Sequence, residues 1–375
     1  MQLRINRLVK KICGLSLLFC LSAASISLAS GSDAVANDTT AGHAEKGKLE
    51  PGKLILDHIS DAHSWHLWGH TELPLPVIIY SKEKGLDIFS SGRFDHGHKT
   101  YNGYALDGKN IIAVNETEPV DVHHATKNEE LTASLWDFSI TKNTLSLMIS
   151  VALLLWIFIS VAKSYTLNKN KAPSGLQSLI EPVIIFIRDN VAKSIIGEKH
   201  YERYLPYLLT VFFFIWINNL LGLVPVFPGG ANVTGNIAIP MILALITFTI
   251  TTFSGNKHYW QHIFAMPGIP KWVLVILTPI EILGVFIKPF VLMVRLFANI
   301  LAGHIVLLVF FFLIFIFGEA SLTTGLITSV PALAFTVFIN CLELLVGLLQ
   351  AYVFTFLSAL YFGMATAEGH HEEAH

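Results

Sequence analysis

The chain has 375 residues, of which 53% are hydrophobic and 14% charged, with a formal net charge of -2. At a mean hydropathy of +0.57, that is the balance of a protein that crosses a membrane several times. Near-neutral charge without a basic cluster excludes a nucleic-acid binder. The cysteines at Cys13, Cys20 and Cys341 offer neither a disulfide framework nor a C-x-x-C site.

In chain order, Arg4, Arg7, Lys10 and Lys11 precede an apolar stretch from Ile12 to Leu28. Small residues follow at Ser27-Leu28-Ala29, and the pattern predicts a signal peptide over 1–29. Residues 30–140 are polar and histidine-rich, with short strand-like runs at Val77-Ile78-Ile79-Tyr80 and Ile111-Ile112-Ala113-Val114. They read as a small extracytoplasmic accessory domain. His63, His66 and His70 share helical spacing, and His96 and His98 sit beside Asp95. With no cysteine and no standard ligand spacing, solvated histidines are expected there and no metal site.

The remainder, 141–375, reads as a membrane domain. A first span is expected over about Leu145 to Ala162. The Lys- and Arg-bearing loop after it places that side in the cytoplasm. Within this loop, Leu176 to Ile196 alternates apolar groups with Glu181, Arg188, Asp189 and Lys193, which predicts an amphipathic helix on the membrane surface. A second span, about Leu205 to Val224, carries Asn218 and Asn219, either as helix-joining hydrogen-bonding groups or as pathway residues. The loop from Phe227 to Asn236 lacks Lys and Arg and belongs outside. A third span, about Ile237 to Phe253, returns the chain to Lys257 and Lys271.

The last two apolar segments are over-long. Trp272 to Phe317 would extend ~70 Å as a helix, more than twice a bilayer core. Leu326 to Tyr361 poses the same problem. Each is either two spans or one strongly tilted helix, and Pro279 and Pro289 permit kinks in the first.

These segments carry ionisable groups. An arginine at the bilayer centre costs roughly 2.5–3.5 kcal/mol on the insertion scale, so an intramembrane charge marks a functional site by default. At 100° per residue, Glu281, Lys288, Arg295 and Asn299 fall within about 40° of one another, and His304 lies about 180° from Arg295. Glu343 and Gln350 share a face of the final segment, with Gly347 between them. Histidine titrates near neutrality, so His304 and Glu343 read as a proton-exchanging pair with Asn299 and Gln350 as polar neighbours. A static buried pair is the alternative. Arginine keeps its proton, so Arg295 does not relay one but gates.

Arg295-Leu296-Phe297-Ala298-Asn299, Ala302-Gly303-His304, Glu343 and Leu349-Gln350-Ala351-Tyr352-Val353-Phe354 resemble subunit a of the F-type ATP synthase membrane sector. Ile180-Glu181-Pro182 and Asn218-Asn219-Leu220-Leu221-Gly222-Leu223-Val224-Pro225 are similar to that family too. The resemblance covers about Ser174 to Thr366 and leaves out 30–140. It implies an all-α membrane protein of about five membrane helices, with one surface amphipathic helix and a long tilted C-terminal helical hairpin packed against a ring of c subunits. It further implies that Arg295 faces the carboxylate of each passing c subunit and separates two half-channels. Asn299, His304, Glu343 and Gln350 would line the outer half-channel and Glu281 the cytoplasmic one. Lys288, Asn218 and Asn219 remain pathway or packing residues.

The implied partners are the c-ring, the peripheral stalk subunit b, the lipid bilayer and, indirectly, the catalytic sector. The implied location is a bacterial inner membrane, with the N-terminal domain outside and the C-terminus cytoplasmic. No cofactor is expected and, without a G-x-x-x-x-G-K-[ST] loop, no catalytic site. A proton-coupled secondary transporter is the alternative, but the two repeated halves it predicts are not visible in the sequence.

Overall fold

The computed structural model describes residues 61–68, 71–108, 110–116, 119–167, 172–224, 228–266 and 268–367. The signal peptide expected over 1–29 lies outside them.

The N-terminal part is β-rich. Strands β1 (Ser64–Trp68) and β2 (Thr71–Pro74) pair with each other, as do β5 (Tyr104–Asp107) and β6 (Asn110–Ala113). Strands β3 (Pro76–Ser81), β4 (Gly85–Ser90) and β7 (Trp136–Asp137) form an antiparallel sheet in the order β4-β3-β7. The strand-like runs of the sequence thus fall on β3 and β6. The helical spacing of His63, His66 and His70 does not describe a helix face, because 64–68 is extended and paired with β2.

Alternate residues of β3 and β4 point inward. Val77, Ile79 and Phe89 pack with Phe94, Tyr104 and Ile111, and Tyr104 Oη donates to Asp87 Oδ2 at 2.9 Å. A short helix, α1 (Glu129–Ala133), opens on Asn128, whose side chain accepts from Leu131 N. Burial opposes ionisation of Asp137, but bonds from Ser139 and the His63 imidazole 3.6 Å away hold its carboxyl below the usual range.

Helix α2 (Lys142–Leu167) starts directly from this region. Lys142 N donates to Ala62 O at 2.8 Å, Asn143 N to Asp61 Oδ1 at 3.0 Å, and Ile140 N to Pro76 O at 3.1 Å. The first turn of α2, whose amides have no partner within the helix, is therefore capped by the β-rich part.

Helix α3 (Leu176–Phe186) continues through a π-helical stretch, Ile187–Lys193, to Ile196, and Gly197 at φ +89 ends it. The sequence assigns its apolar side to the membrane surface. In the fold Ile180, Ile187, Val191, Ala192 and Ile196 join the helical core, leaving Leu179, Ile185 and Phe186 exposed. On the polar side Arg188 donates twice to Asp189, both at 2.8 Å, and this guanidinium holds the Asp189 carboxyl below its ordinary value.

The centre of the bundle is α4 (Tyr201–Leu223), whose residues from Tyr204 to Ile215 are all buried. Phe213 meets Phe158 of α2 edge-on at 5.1 Å. Around α4 stand α5 (Ala238–Ser254), bent sharply into α6 (Lys257–Phe264), and two long helices, α7 (Lys271–Ala320) and α8 (Leu322–Thr366).

Both long helices are continuous, without a break inside either over-long segment. Pro279 and Pro289 lie inside α7 and Pro331 inside α8. Ser321 separates the two helices, and its hydroxyl accepts from Thr324 N to cap α8. They run antiparallel along their whole length. Phe310 stacks on Phe335 at 5.3 Å, Asn299 Nδ2 donates to Gln350 Oε1 at 3.4 Å, and Lys288 Nζ lies 5.9 Å from the Tyr361 ring centroid.

Among the described residues four helices, α2, α4, α7 and α8, are long and apolar enough to cross a membrane, and the bent pair α5–α6 makes a fifth if counted as one span.

Gly363 of α8 meets the backbone at Ile195, and a Cβ there would sit 2.7 Å from Ile195 O. Backbone yields less readily than a side-chain tip. Gly363→Ala is expected to lower stability by about 1–3 kcal/mol, read as a fall in Tm of the detergent-solubilised protein.

Candidate functional site

Where α4, α7 and α8 converge, the packing leaves a cavity of about 200 Å³. Helix α7 contributes Asn299, Gly303 and His304, α8 contributes Glu343, and α4 contributes Asn218, Asn219 and Gly222. A Cβ at Gly303 would fall on the Glu343 carboxylate, so a larger residue there would push that carboxylate out of its present position.

Most of the cavity wall is apolar, and a few polar groups are set into it. Both carboxylate oxygens of Glu343 are buried and accept no hydrogen bond among the described residues, and neither does Asn218 Oδ1. His304 lines the same cavity, yet the two Glu343 oxygens take no direct hydrogen bond from it. A cavity of this size has room for water, for which the unsatisfied Glu343 and Asn218 oxygens are acceptors. Chemically, a carboxyl and an imidazole around such water can take up and release protons, while the amides orient the solvent.

The two asparagines of α4 divide their tasks. Asn219 Nδ2 donates to Gly347 O of α8 at 3.0 Å, and its Oδ1 accepts from Thr234 Oγ1 at 3.0 Å, so it joins helices. Asn218 Nδ2 donates within its own helix, to Phe214 O at 2.8 Å. Gln350 is buried beside the cavity through its bond from Asn299, and its Nε2 has no partner among the described residues.

Two participants escaped the sequence reading. Asn232 and Thr234, in the segment taken only as an outside turn, fold in and line the cavity. Asn232 Oδ1 accepts from Gly235 N at 3.0 Å, whereas its buried Nδ2 is unpartnered among the described residues. The available signal was two uncharged polar groups close in sequence, Asn-Val-Thr, between apolar spans.

The other expected site residues lie elsewhere. Arg295 is about 13 Å along α7 from His304 by helical rise. It is exposed between Leu292 and Leu296, which are buried against the bundle. Among the described residues it forms no ion pair. Glu281 is half-buried near Tyr259 of α6, and Lys288 faces Tyr361. The face around Arg295 is apolar, with Val291, Val294, Leu342, Leu345 and Leu349 exposed.

Residues 144–363 match the ATP synthase A chain family, and residues 54–138 match a family described only as a domain of unknown function. The chain is 47% identical over 246 residues to ATP synthase subunit a 2 of Prosthecochloris aestuarii, covering 64% of this chain and 72% of that one. It is 43% identical over 290 residues to ATP synthase subunit a of Chloroherpeton thalassium, covering 76% and 80%. With ATP synthase subunit a of Myxococcus xanthus it shares 43% over 246 residues, covering 64% and 77%.

Proposed function

The chain belongs to the ATP synthase A chain family, and from that premise we propose that it is the proton-conducting stator subunit of an F-type ATP synthase. One observation carries the reading. A single helix, α7, holds an uncompensated arginine on an exposed apolar face and, about 13 Å away by helical rise, part of the wall of the cavity that Glu343 lines.

In this reading the exposed apolar face of α7 and α8 packs against a ring of c subunits, whose carboxylates supply the countercharge that Arg295 lacks. The cavity with Asn299, His304 and Glu343, next to Gln350, is the outer half-channel. Asn218, Asn232 and Thr234 belong to its wall, and Asn219 holds that wall together. Glu281, toward the opposite end of α7, belongs to the second half-channel, and Lys288 lies between the two. Protons pass between His304 and Glu343 through water. Arg295 favours the ionised form of a facing carboxylate and blocks direct passage between the half-channels.

The continuous 50-residue α7 crosses ~30 Å of hydrocarbon at a steep tilt, with α8 returning beside it. The Lys-rich loop after α2 lies in the cytoplasm of a bacterium, with residues 30–140 outside the inner membrane and the C-terminus inside. Subunit b holds the chain as stator, and ATP chemistry belongs to the catalytic sector.

The test is ATP-driven acidification of inverted membrane vesicles from cells lacking this chain, with and without the wild-type chain restored. Acidification that returns only with the chain, while ATP hydrolysis is present in both, is expected. Acidification without the chain would sink the reading.

A further inference from the structure

The sheet β4-β3-β7 has one face in the core and one face bare. In register, Tyr80 stands opposite both Leu86 and Trp136, and Ile78 stands opposite Ile88. Phe138 N donates to Ile78 O, which brings Phe138 alongside. Because strand side chains alternate, these residues share the face opposite Val77, Ile79 and Phe89. A half-solvated antiparallel sheet ordinarily turns polar residues to water. Here Tyr80, Leu86, Ile88, Trp136 and Phe138 are 45%, 59%, 65%, 60% and 41% exposed. The Trp136 and Phe138 rings stack at 6.4 Å. A contiguous apolar patch of this kind marks an interaction surface.

Its position identifies the partner. Phe138 is four residues before Lys142, where α2 begins, so the chain between them reaches at most about 14 Å. That junction is fixed by the bonds from Ile140, Lys142 and Asn143 to Pro76, Ala62 and Asp61. The sheet therefore stands at the end of a helix long and apolar enough to span, next to the headgroup layer. Tryptophan and tyrosine concentrate in that layer, where an apolar ring body and a polar tip are both satisfied.

We propose that the Tyr80–Leu86–Ile88–Trp136–Phe138 face lies on the lipid headgroup boundary of the leaflet at the Lys142 end of α2. The occupant is the bilayer surface. Through this contact the β-rich part braces α2 against rotation about its own axis. The inference requires only that α2 crosses the membrane and is independent of the proton pathway.

The test uses the full chain in nanodiscs of phosphatidylcholine and phosphatidylglycerol, with Cys13, Cys20 and Cys341 replaced by serine. A nitroxide is placed at Ile88→Cys or Leu86→Cys, with Glu83→Cys at the exposed β3–β4 turn as reference. The ratio of collisions with dissolved oxygen to collisions with a water-soluble nickel chelate is expected to be higher at 86 and 88 than at 83. Equal ratios would mean the face is open to water. Low collision with both reagents would mean that protein covers it, whether a second copy or the segment before residue 61. Either result overturns the proposal. As a second readout, lipids brominated in the upper acyl chain are expected to quench a part of the tryptophan emission that disappears in Trp136→Phe. Unchanged quenching in that variant would count against it.

Discussion

Arg295→Ala is expected to leave the complex assembled and hydrolysing ATP, yet to reduce ATP-driven acidification of inverted vesicles to the level of membranes without the chain. The side chain is exposed and forms no ion pair among the described residues, so its removal leaves no buried acid stranded within them. Assembly should survive because Leu292 and Leu296, not Arg295, bury this stretch of α7. Function should not survive, because the fixed charge is then gone. A charge at the bilayer centre costs roughly 2.5–3.5 kcal/mol unless compensated, and a rotor carboxylate would have to meet that cost unaided. Arg295→Lys is the sharper comparison. It keeps one positive charge but loses the planar fork and the certainty of protonation, so pumping should remain far below wild type. Near-normal pumping by Arg295→Ala with assembly verified by co-purification would make the arginine structural and reopen the transporter alternative.

Glu343→Gln is expected to give the second-largest loss, with pumping reduced at least about tenfold, equivalent to about 1.4 kcal/mol. Glutamine has the same shape, so Gly303 still accommodates it and the α7–α8 contact persists. What disappears is the titratable proton. A static hydrogen-bonding role predicts the opposite, because an amide fills that role at least as well in a cavity where the carboxylate accepts no hydrogen bond among the described residues. Exchanging the two groups, His304→Glu with Glu343→His, is expected to recover part of the lost flux, since both side chains line the same cavity. Retained pumping in Glu343→Gln would assign the residue to packing. The measurement is again vesicle acidification, with Tm recorded to separate folding from conduction.

Much of this fold is legible in the sequence because lipid imposes simple rules. Apolar runs mark α2, α4, α5, α7 and α8, and short strand-like runs mark β3 and β6. The stripe Glu281–Lys288–Arg295 stands out because charge is costly in that setting. What is not legible depends on neighbours. Proline normally breaks a helix, yet Pro279, Pro289 and Pro331 sit inside unbroken ones, as membrane helices tolerate where adjacent groups re-satisfy the backbone. An amphipathic pattern cannot distinguish lipid from protein, so the apolar side of 176–196 is assigned to the bilayer although much of it packs into the bundle. The first span reads as 145–162 from hydropathy, whereas the helix extends over Lys142–Leu167 because its start is held by Ala62 and Asp61. Asn232 and Thr234 enter the site only through contacts with residues on other helices.

The antiparallel register of α7 and α8 also limits how this chain can change over evolutionary time. Contacts that step toward Ser321 along one helix step toward it along the other, from Lys288–Tyr361 through Asn299–Gln350 to Phe310–Phe335. Inserting one residue into α8 between 322 and 342 would turn everything beyond it by about 100°. Glu343 would leave the cavity, and Gln350 and Tyr361 would lose their partners together. A shift of seven residues nearly restores the facing side but displaces every rung by ~10 Å. Length variation is therefore expected in matched pairs flanking Ser321, where an added rung on one helix meets an added rung on the other. Unmatched insertions and deletions should be as rare here as they are tolerated in surface loops.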